Sequence, residues 1–151
     1  DTVENAGRPS FSDVRPLRDT NGAPVAYPFD FVEEAAAAGL VVGSAGPTGT
    51  MAFRPNEAIS RVQLAQILAR MVRQLKGYGL DSPAVRAASF TDVPDYATAD
   101  VALVAGLGLM SGYSNGTFVP WAGAQRGHVA LTMSRYLDLP APPGSMAQSA
   151  E

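Results

Sequence analysis

The chain has 151 residues, enough for about one domain, and its 46% hydrophobic and 17% charged residues indicate a folded globular protein. The net charge of -3, from 14 acidic and 11 basic residues, does not favour nucleic acid as a partner. No hydrophobic run approaches the ~20 residues that a membrane span requires. With no cysteine and one histidine, the sequence excludes disulfides, thiolate sites and His-rich metal sites, and no cofactor is predicted.

Several short motifs occur twice in the same order, which indicates an internal duplication. The first and second copies of these motifs are Phe11-Ser12-Asp13-Val14 and Phe90-Thr91-Asp92-Val93, Gly39–Gly43 and Gly108–Gly112, Phe53-Arg54-Pro55 and Phe118-Val119-Pro120, and Arg61 and Arg126. The spacing between copies shortens along the chain because the first copy has extra turn-rich residues near Pro16–Pro28 and Ala45–Thr50. We therefore expect a leader at 1–10, a first repeat at 11–77, a linker at 78–89, a second repeat at 90–139 and a flexible tail at 140–151.

The first repeat is predicted to hold a short helix and a longer one. Phe29–Ala38 has helical periodicity and ends at Gly39, and a loop follows. The second helix begins at Ser60, which opens an S-x-x-Q capping box, carries a broad apolar stripe and ends at Gly77.

The second repeat is predicted to have the same order of elements. Ala97–Leu107 is its short helix, and Tyr113-Ser114-Asn115-Gly116 is a turn in which Asn-Gly suits positive φ. The long helix is predicted over His128–Leu139. Four of its side chains are expected to point inward: Val129, Met133, Tyr136 and Leu137. The pattern as a whole predicts an all-α fold of two tandem helix-turn-helix repeats.

The ordered set of motifs resembles the S-layer homology (SLH) repeat. The first copy has Ile59-Ser60-Arg61-Val62-Gln63 where that family usually carries Ile-Thr-Arg-Ala-Glu. The second copy has Ala124-Gln125-Arg126-Gly127-His128, which keeps the arginine and lacks the capping hydroxyl. The resemblance implies an all-α prism, usually of three repeats, with binding grooves between them. Since this chain has two, we expect the missing faces to come from a second chain or from a longer native chain.

The resemblance also implies a function. SLH modules hold secreted or surface proteins on the bacterial envelope without a covalent bond, by binding a cell-wall polysaccharide that often carries a pyruvate ketal. The expected location is therefore outside the cell, at the cell wall or surface layer. The alternative is a structural interaction or oligomerisation module that has lost glycan binding, because the second copy lacks the helix cap.

Arg61 and Arg126 are the main candidates for binding the glycan. Each is predicted near a helix start, where free amides, the helix dipole and a guanidinium favour a carboxylate. The alternative interpretation is a structural arginine that pairs with Asp13 or Asp92 or covers a turn. Those two aspartates are predicted to order their loops as Asx-turns or helix caps, and contact with sugar hydroxyls remains an alternative.

The remaining candidates have structural interpretations beside the ligand-binding one. Ser60 is first a helix cap, and Gly43 and Gly112 are first backbone turns. Trp121 has two interpretations. It is either an exposed residue that stacks on a sugar ring or a half-buried residue that packs against the protein. No catalytic or metal-binding residues are predicted, because Glu33, Glu34, Asp95 and Asp100 have the spacing of a solvated face and His128 has no catalytic partner. The chain is therefore not expected to be an enzyme.

Overall fold

The computed structural model describes residues 9–46, 48–79, 81–82 and 88–142. The chain divides into two compact units, Asp1–Glu57 and Ala58–Glu151, called unit 1 and unit 2 below. This division falls inside the first predicted repeat, between its loop and its long helix. Most of the predicted leader, the middle of the predicted linker and most of the predicted tail lie outside the described residues.

Unit 1 combines one helix with two hairpins. Strand β1 (Leu17–Arg18) pairs antiparallel with β2 (Pro24–Val25), helix α1 spans Phe29–Ala37, and β3 (Ser44–Ala45) pairs antiparallel with β4 (Met51–Ala52). A small core holds these elements together, with Phe11, Val14 and Val32 buried at its centre and Phe29, Ala36, Val41 and Phe53 packed against them.

The two hairpins make the predicted all-α class wrong, since the fold mixes helices with short strands. Both hairpins lie in the turn-rich stretches that the sequence indicated as loops. In the first, Asp19 Oδ1 accepts hydrogen bonds from the amides of Asn21 and Ala23, and Gly22 has a φ of 82°. The turn residues therefore close hairpins, and strands of two residues are too short to show the alternation that marks a strand.

Unit 2 contains the long helix of the first repeat and all described elements of the second. Helix α2 spans Arg61–Lys76, a 3₁₀ turn covers Asp95–Ala97, α3 spans Thr98–Gly106 and α4 spans Arg126–Asp138. Helix α2 packs closely against α3. The larger core forms between them, and its fully buried members include Val62, Ala65, Leu68, Ala69, Val72, Ala97, Leu103, Val104 and Phe118.

Helix α2 begins and ends where the sequence predicts. The Ser60 and Gln63 side chains form a reciprocal capping box, with the Ser60 amide donating to Gln63 Oε1 at 2.8 Å. Gly77 has a left-handed φ of 79°, and its amide bonds to the Val72 carbonyl. A left-handed residue without a Cβ ends the helix at little cost, so local chemistry determines both boundaries.

The helices of the second repeat are present, with one error in their predicted inward face. Leu137 is 74% exposed, whereas Tyr136 is buried and Val129 and Met133 pack against the core. Each residue turns a helix by about 100°, so Leu137 cannot share the inward direction of Tyr136. None of the helices in the described ranges is long and apolar enough to cross a membrane.

Candidate functional site

The loop before α4 and the loop after β4 have the same internal geometry. In unit 2, the carboxylate of Asp92 accepts the amides of Phe118 at 2.7 Å and Val119 at 2.8 Å. In unit 1, the carboxylate of Asp13 accepts the amide of Phe53 at 2.8 Å and that of the next residue at 2.7 Å. Both aspartates are therefore loop-ordering residues, and a contact with sugar remains a prediction.

These carboxylates stabilise an unusual backbone conformation. Val119 has a φ of 55° and Arg54, its counterpart in unit 1, has a φ of 60°. Positive φ is unfavourable for residues with a Cβ, and most of all for a β-branched one. Two amide bonds to one carboxylate hold each turn in place.

Each turn contributes one ring to an aromatic pair. The ring centroids of Phe90 and Phe118 are 5.4 Å apart, as are those of Phe11 and Phe53. The predicted ligand-contacting glycines let these rings approach the backbone. A Cβ at Gly112 would overlap the Phe90 ring and lie 2.8 Å from the Thr117 carbonyl oxygen, and one at Gly43 would overlap the Phe11 ring.

The amides at the start of α2 are already bonded. The amide of Arg61 donates to the Ala122 carbonyl and that of Val62 to the Pro120 carbonyl, both at 2.9 Å. The amide of Gln63 donates to Ser60 Oγ at 3.3 Å. The free helix amides that were expected to attract an anion are therefore occupied, and the ligand-binding potential of this site lies in the arginine side chain.

The side chain of Arg61 lies on the second repeat. Its Nε donates to the Phe118 carbonyl oxygen at 3.0 Å and its Nη2 to the Ser111 carbonyl oxygen at 2.7 Å. The guanidinium carbon lies 4.6 Å from the Phe118 ring centroid and 5.8 Å from that of Tyr113. Two carbonyls and two rings fix the plane of the cation, which favours directional binding over a mobile charge.

One edge of this guanidinium is not used by these bonds. The carbonyls occupy the Nε–Nη2 edge, so the edge formed by Nη1 and the second Nη2 hydrogen keeps parallel donors suited to a carboxylate. Arg61 is half-buried, while the side chains of Tyr113 and Trp121 are exposed. Trp121 lies between the two carbonyls that cap α2, so its backbone is fixed at the start of that helix.

Tyr113 was missed as a site residue by the sequence analysis, which assigned it only to a turn. Its signal was an aromatic residue directly after Gly112, where the first repeat has Ser44. That signal gains meaning only once the Arg61 guanidinium is placed beside the ring.

Asp92 is electrostatically linked to this arginine. The hydrogen bond from the Phe118 amide holds the pKa of the Asp92 carboxyl below its usual value, and this effect is partly offset by desolvation. The Val119 amide and the charge of Arg61 lower this pKa further. The Asp13 pKa is also lowered, first by the Phe53 amide and then by that of Arg54, against partial desolvation. Both carboxylates are therefore anionic at neutral pH.

The predicted site residues fall in different places. Arg61, Ser60, Asp92, Gly112 and Trp121 belong to unit 2 and surround the start of α2 or the Phe118 turn. Asp13 and Gly43 form the matching turn of unit 1. Arg126 is the first residue of α4, and its side chain is exposed. The N-cap residue before it, Gln125, makes no capping bond with its side chain.

Two of the four carboxylates considered for catalysis, Glu33 and Asp100, have structural partners. Glu33 accepts the Ser10 amide at 2.9 Å and the Ser10 hydroxyl at 2.7 Å. Asp100 on α3 forms a 2.6 Å ion pair with Arg73 on α2. Within the described part of the chain, no group of three His, Cys, Asp or Glu side chains is placed to hold a metal ion.

Comparison with known families and proteins gives one match. The sequence model of the S-layer homology domain matches residues 21–65 and again 89–130, which together cover more than half of the chain. The two tandem repeats predicted from the sequence are thereby confirmed. No curated protein and no solved structure matches the chain.

Proposed function

The chain belongs to the S-layer homology family, and from this membership we propose that it attaches the protein that carries it to the bacterial cell wall by binding an anionic wall polysaccharide through Arg61. SLH domains anchor proteins to the cell wall and bind its secondary polymers, and the family is not an enzyme family. They occur in proteins of the cell surface and wall, and we extend this to a secreted location for this chain.

The observation that carries the proposal is the fixed guanidinium of Arg61, whose Nη1–Nη2 edge makes no hydrogen bond to any residue that the structure describes. A planar cation pairs with a carboxylate through two parallel hydrogen bonds, and the carboxylate of a pyruvate ketal has the matching geometry. Because its position is set by the carbonyls of Phe118 and Ser111, little ordering entropy is lost on binding.

Neutral parts of the polysaccharide need a second kind of contact. The exposed rings of Tyr113 and Trp121 offer flat apolar surfaces on which sugar rings stack. Ser60 is committed to its helix cap and Asp92 to the Phe118 turn, so their contacts with sugar are the less favoured part of the proposal. Four further residues are also less favoured ligand contacts in this proposal: Arg126, Asp13, Gly43 and Gly112.

The test is calorimetric titration of the chain with purified wall polysaccharide, before and after mild acid removes its pyruvate ketals. We expect binding of the native polymer and its loss after depyruvylation. The variant Trp121→Ala should weaken binding about tenfold, equivalent to ~1.4 kcal/mol. Arg61→Lys should abolish the preference for the pyruvylated polymer, because an ammonium lacks the paired donors.

Two control variants separate this site from general surface effects. Tyr27→Ala removes an exposed tyrosine of unit 1, and Arg15→Ala removes an exposed positive charge there. Both should bind as the unmodified chain does. Equal binding of native and depyruvylated polymers, or unchanged binding by Trp121→Ala and Arg61→Lys, would contradict the proposal.

A structural module without glycan binding is the second candidate function. It is favoured by the two carbonyl bonds of Arg61, since a side chain that joins two repeats has a role without any ligand. Under this alternative, Arg61→Ala lowers the free energy of unfolding while the unmodified chain binds neither form of the polymer. The same titrations therefore distinguish the two functions.

A further inference from the structure

Arg126 repeats the sequence position of Arg61 but not its surroundings. The Arg61 side chain bonds to two carbonyls, and the first two amides of α2 are capped by the carbonyls of Pro120 and Ala122. At α4, the Arg126 side chain is exposed, and no described residue accepts a hydrogen bond from the amides of Arg126 or Gly127. Among the described residues, the start of α4 therefore has no counterpart of the Pro120–Ala122 loop that completes the start of α2.

The same contrast extends along both helices. One stripe of α2 is almost fully buried and consists of Val62, Ala65, Ala69 and Val72, none more than 1% exposed. This stripe lies between two arginines that bond to the second repeat. Arg61 bonds to the Phe118 carbonyl, and Arg73 forms an ion pair with Asp100 on α3. The residues 65 positions later on α4 are all exposed: Gly127, Ala130, Ser134 and Leu137. Together with Arg126 they form what we call the open face of α4.

Unit 1 carries the counterpart of the surface on which Arg61 and α2 pack. Phe53 and Val42 occupy the positions of Phe118 and Ser111, whose carbonyls hold Arg61. Phe118 is fully buried, whereas Phe53 is only partly buried and Val42 is 54% exposed. Phe53 still packs on Phe11 at the same 5.4 Å, so the turn is formed, but the Phe53 ring is less covered than that of Phe118.

Helix α1 shows the same lack of cover. Its counterpart α3 has four consecutive buried residues, Val101–Val104, while α1 buries only Val32 and leaves Phe31 60% exposed. We call Phe31, Val42 and Phe53 the α1 face. Helix α2 packs on the second repeat through two surfaces, one on each partner. The open face of α4 corresponds to the first of these surfaces and the α1 face to the second, and both are exposed.

We propose that copies of this chain associate head to tail, with the open face of α4 in one copy packed on the α1 face of the next. Arg126 then bonds to the Phe53 and Val42 carbonyls of its neighbour, as Arg61 does to Phe118 and Ser111. The occupant is a second copy because the two faces are complementary and each chain carries one of each.

The contact differs from the α2–α3 contact in one chemical respect. In the proposed contact, Asp138 takes the position of Arg73 and Phe31 takes the position of Asp100. The Arg73–Asp100 ion pair is therefore not repeated between copies. Exposed Leu137 and Phe31 instead provide an apolar contact between copies. The assembly should therefore depend less on salt than one held by an ion pair.

Sedimentation equilibrium of the full chain, over a concentration series and without polysaccharide, tests this proposal. We expect the weight-average mass to rise with concentration. Leu137→Glu and Phe31→Glu each place a charge on one face, and each variant alone should remain monomeric. Both side chains are largely exposed, so circular dichroism should show unchanged folding.

Mixing the two variants gives the sharpest result. Each retains one intact face, so an equimolar mixture should form a dimer and no larger species. The matched control is Leu75→Glu, an exposed leucine on α2 outside both faces, which should associate like the unmodified chain. Arg126→Ala should weaken association about tenfold.

Three outcomes would overturn head-to-tail association: a monomer at every concentration, variants that assemble unchanged, or a mixture that stays monomeric. Since no glycan is present and Arg61 is intact in every variant, failure here leaves the proposed wall-binding function untouched. Failure of the polysaccharide titrations likewise leaves this proposal untouched.

Discussion

Arg61 and Phe118 meet through both main chain and ring: the arginine Nε bonds to the Phe118 carbonyl at 3.0 Å, and its guanidinium carbon lies 4.6 Å from the ring centroid. Arg61 belongs to the first sequence repeat and Phe118 to the second. The contact therefore connects the repeats within unit 2, and any glycan bound by this arginine would bind at the junction between them.

Loss of this connection should destabilise unit 2. We expect Arg61→Ala to lower the free energy of unfolding by about 2 kcal/mol, because it removes two charge-assisted hydrogen bonds and the cover over Phe118. Arg61→Lys should recover part of the loss through its stem and charge. Urea unfolding followed by circular dichroism measures both, with Arg15→Ala as a control that should match the unmodified chain. A neutral effect of Arg61→Ala would mean that the two bonds do not stabilise the junction.

The sequence determined the parts of this site that depend on local chemistry. The capping box at Ser60 and the left-handed Gly77 set the limits of α2, and both are readable from residues within a few positions. The duplicated motifs Phe53-Arg54-Pro55 and Phe118-Val119-Pro120 likewise marked the two turns as equivalent positions, although neither was predicted to be a turn. By contrast, the acceptors of the Arg61 side chain are carbonyl groups 50 and 57 residues away, and main-chain acceptors have no sequence signature.

The errors in the predicted fold have similar causes. Strands β1–β4 have two residues each, so no periodicity distinguishes them from loops. Leu137 was expected to be inward because it is apolar, but which face of α4 is covered depends on what packs against it. The sequence pattern does not show which apolar side chains of a helix are covered by a neighbour. The exposure of Leu137 in the structure indicates that this face of α4 is not covered.

The Asp92 carboxylate should make stability depend on acid pH. Its pKa is lowered in the folded state, first by the Phe118 amide, so its stabilisation is fully present above the unfolded-state value of about 3.8. This contribution is lost as pH falls below 3.8 through the folded-state pKa. We expect Asp92→Asn to be less stable than the unmodified chain at neutral pH, and the difference to shrink in that acid range. Urea unfolding of both proteins at several pH values, from neutral to strongly acid, measures this difference.

Asp13→Asn is the matched variant, since Asp13 makes the same two bonds in unit 1 and its pKa is lowered for the same first reason. It should show the same direction of pH dependence. A stability difference that stays constant from neutral to strongly acid pH would contradict the assigned role of either carboxylate.

The positive φ of Val119 offers a stabilising substitution. A β-branched residue at a φ of 55° is strained, whereas asparagine adopts this conformation readily. Val119 is 39% exposed, so little packing is lost, and we expect Val119→Asn to raise the free energy of unfolding by about 1 kcal/mol. Thermal and urea unfolding test this. Val42→Asn, at an exposed valine without positive φ, should give no gain, and equal effects of both changes would exclude strain relief as the cause.

Gly112 should be intolerant of even a methyl group. A Cβ there would overlap the Phe90 ring and approach the Thr117 carbonyl oxygen to 2.8 Å, and the backbone oxygen cannot move without disturbing the turn. We expect Gly112→Ala to lower the free energy of unfolding by about 2 kcal/mol, as for an overpacked core. Gly123→Ala is the matched control, because a Cβ at Gly123 has no heavy atom within 4 Å. Since the Arg61 guanidinium lies over the Phe118 ring, which packs on Phe90, Gly112→Ala should also weaken binding of the wall polysaccharide. A fully stable Gly112→Ala variant with unchanged binding would show that this close approach of ring and backbone is not required.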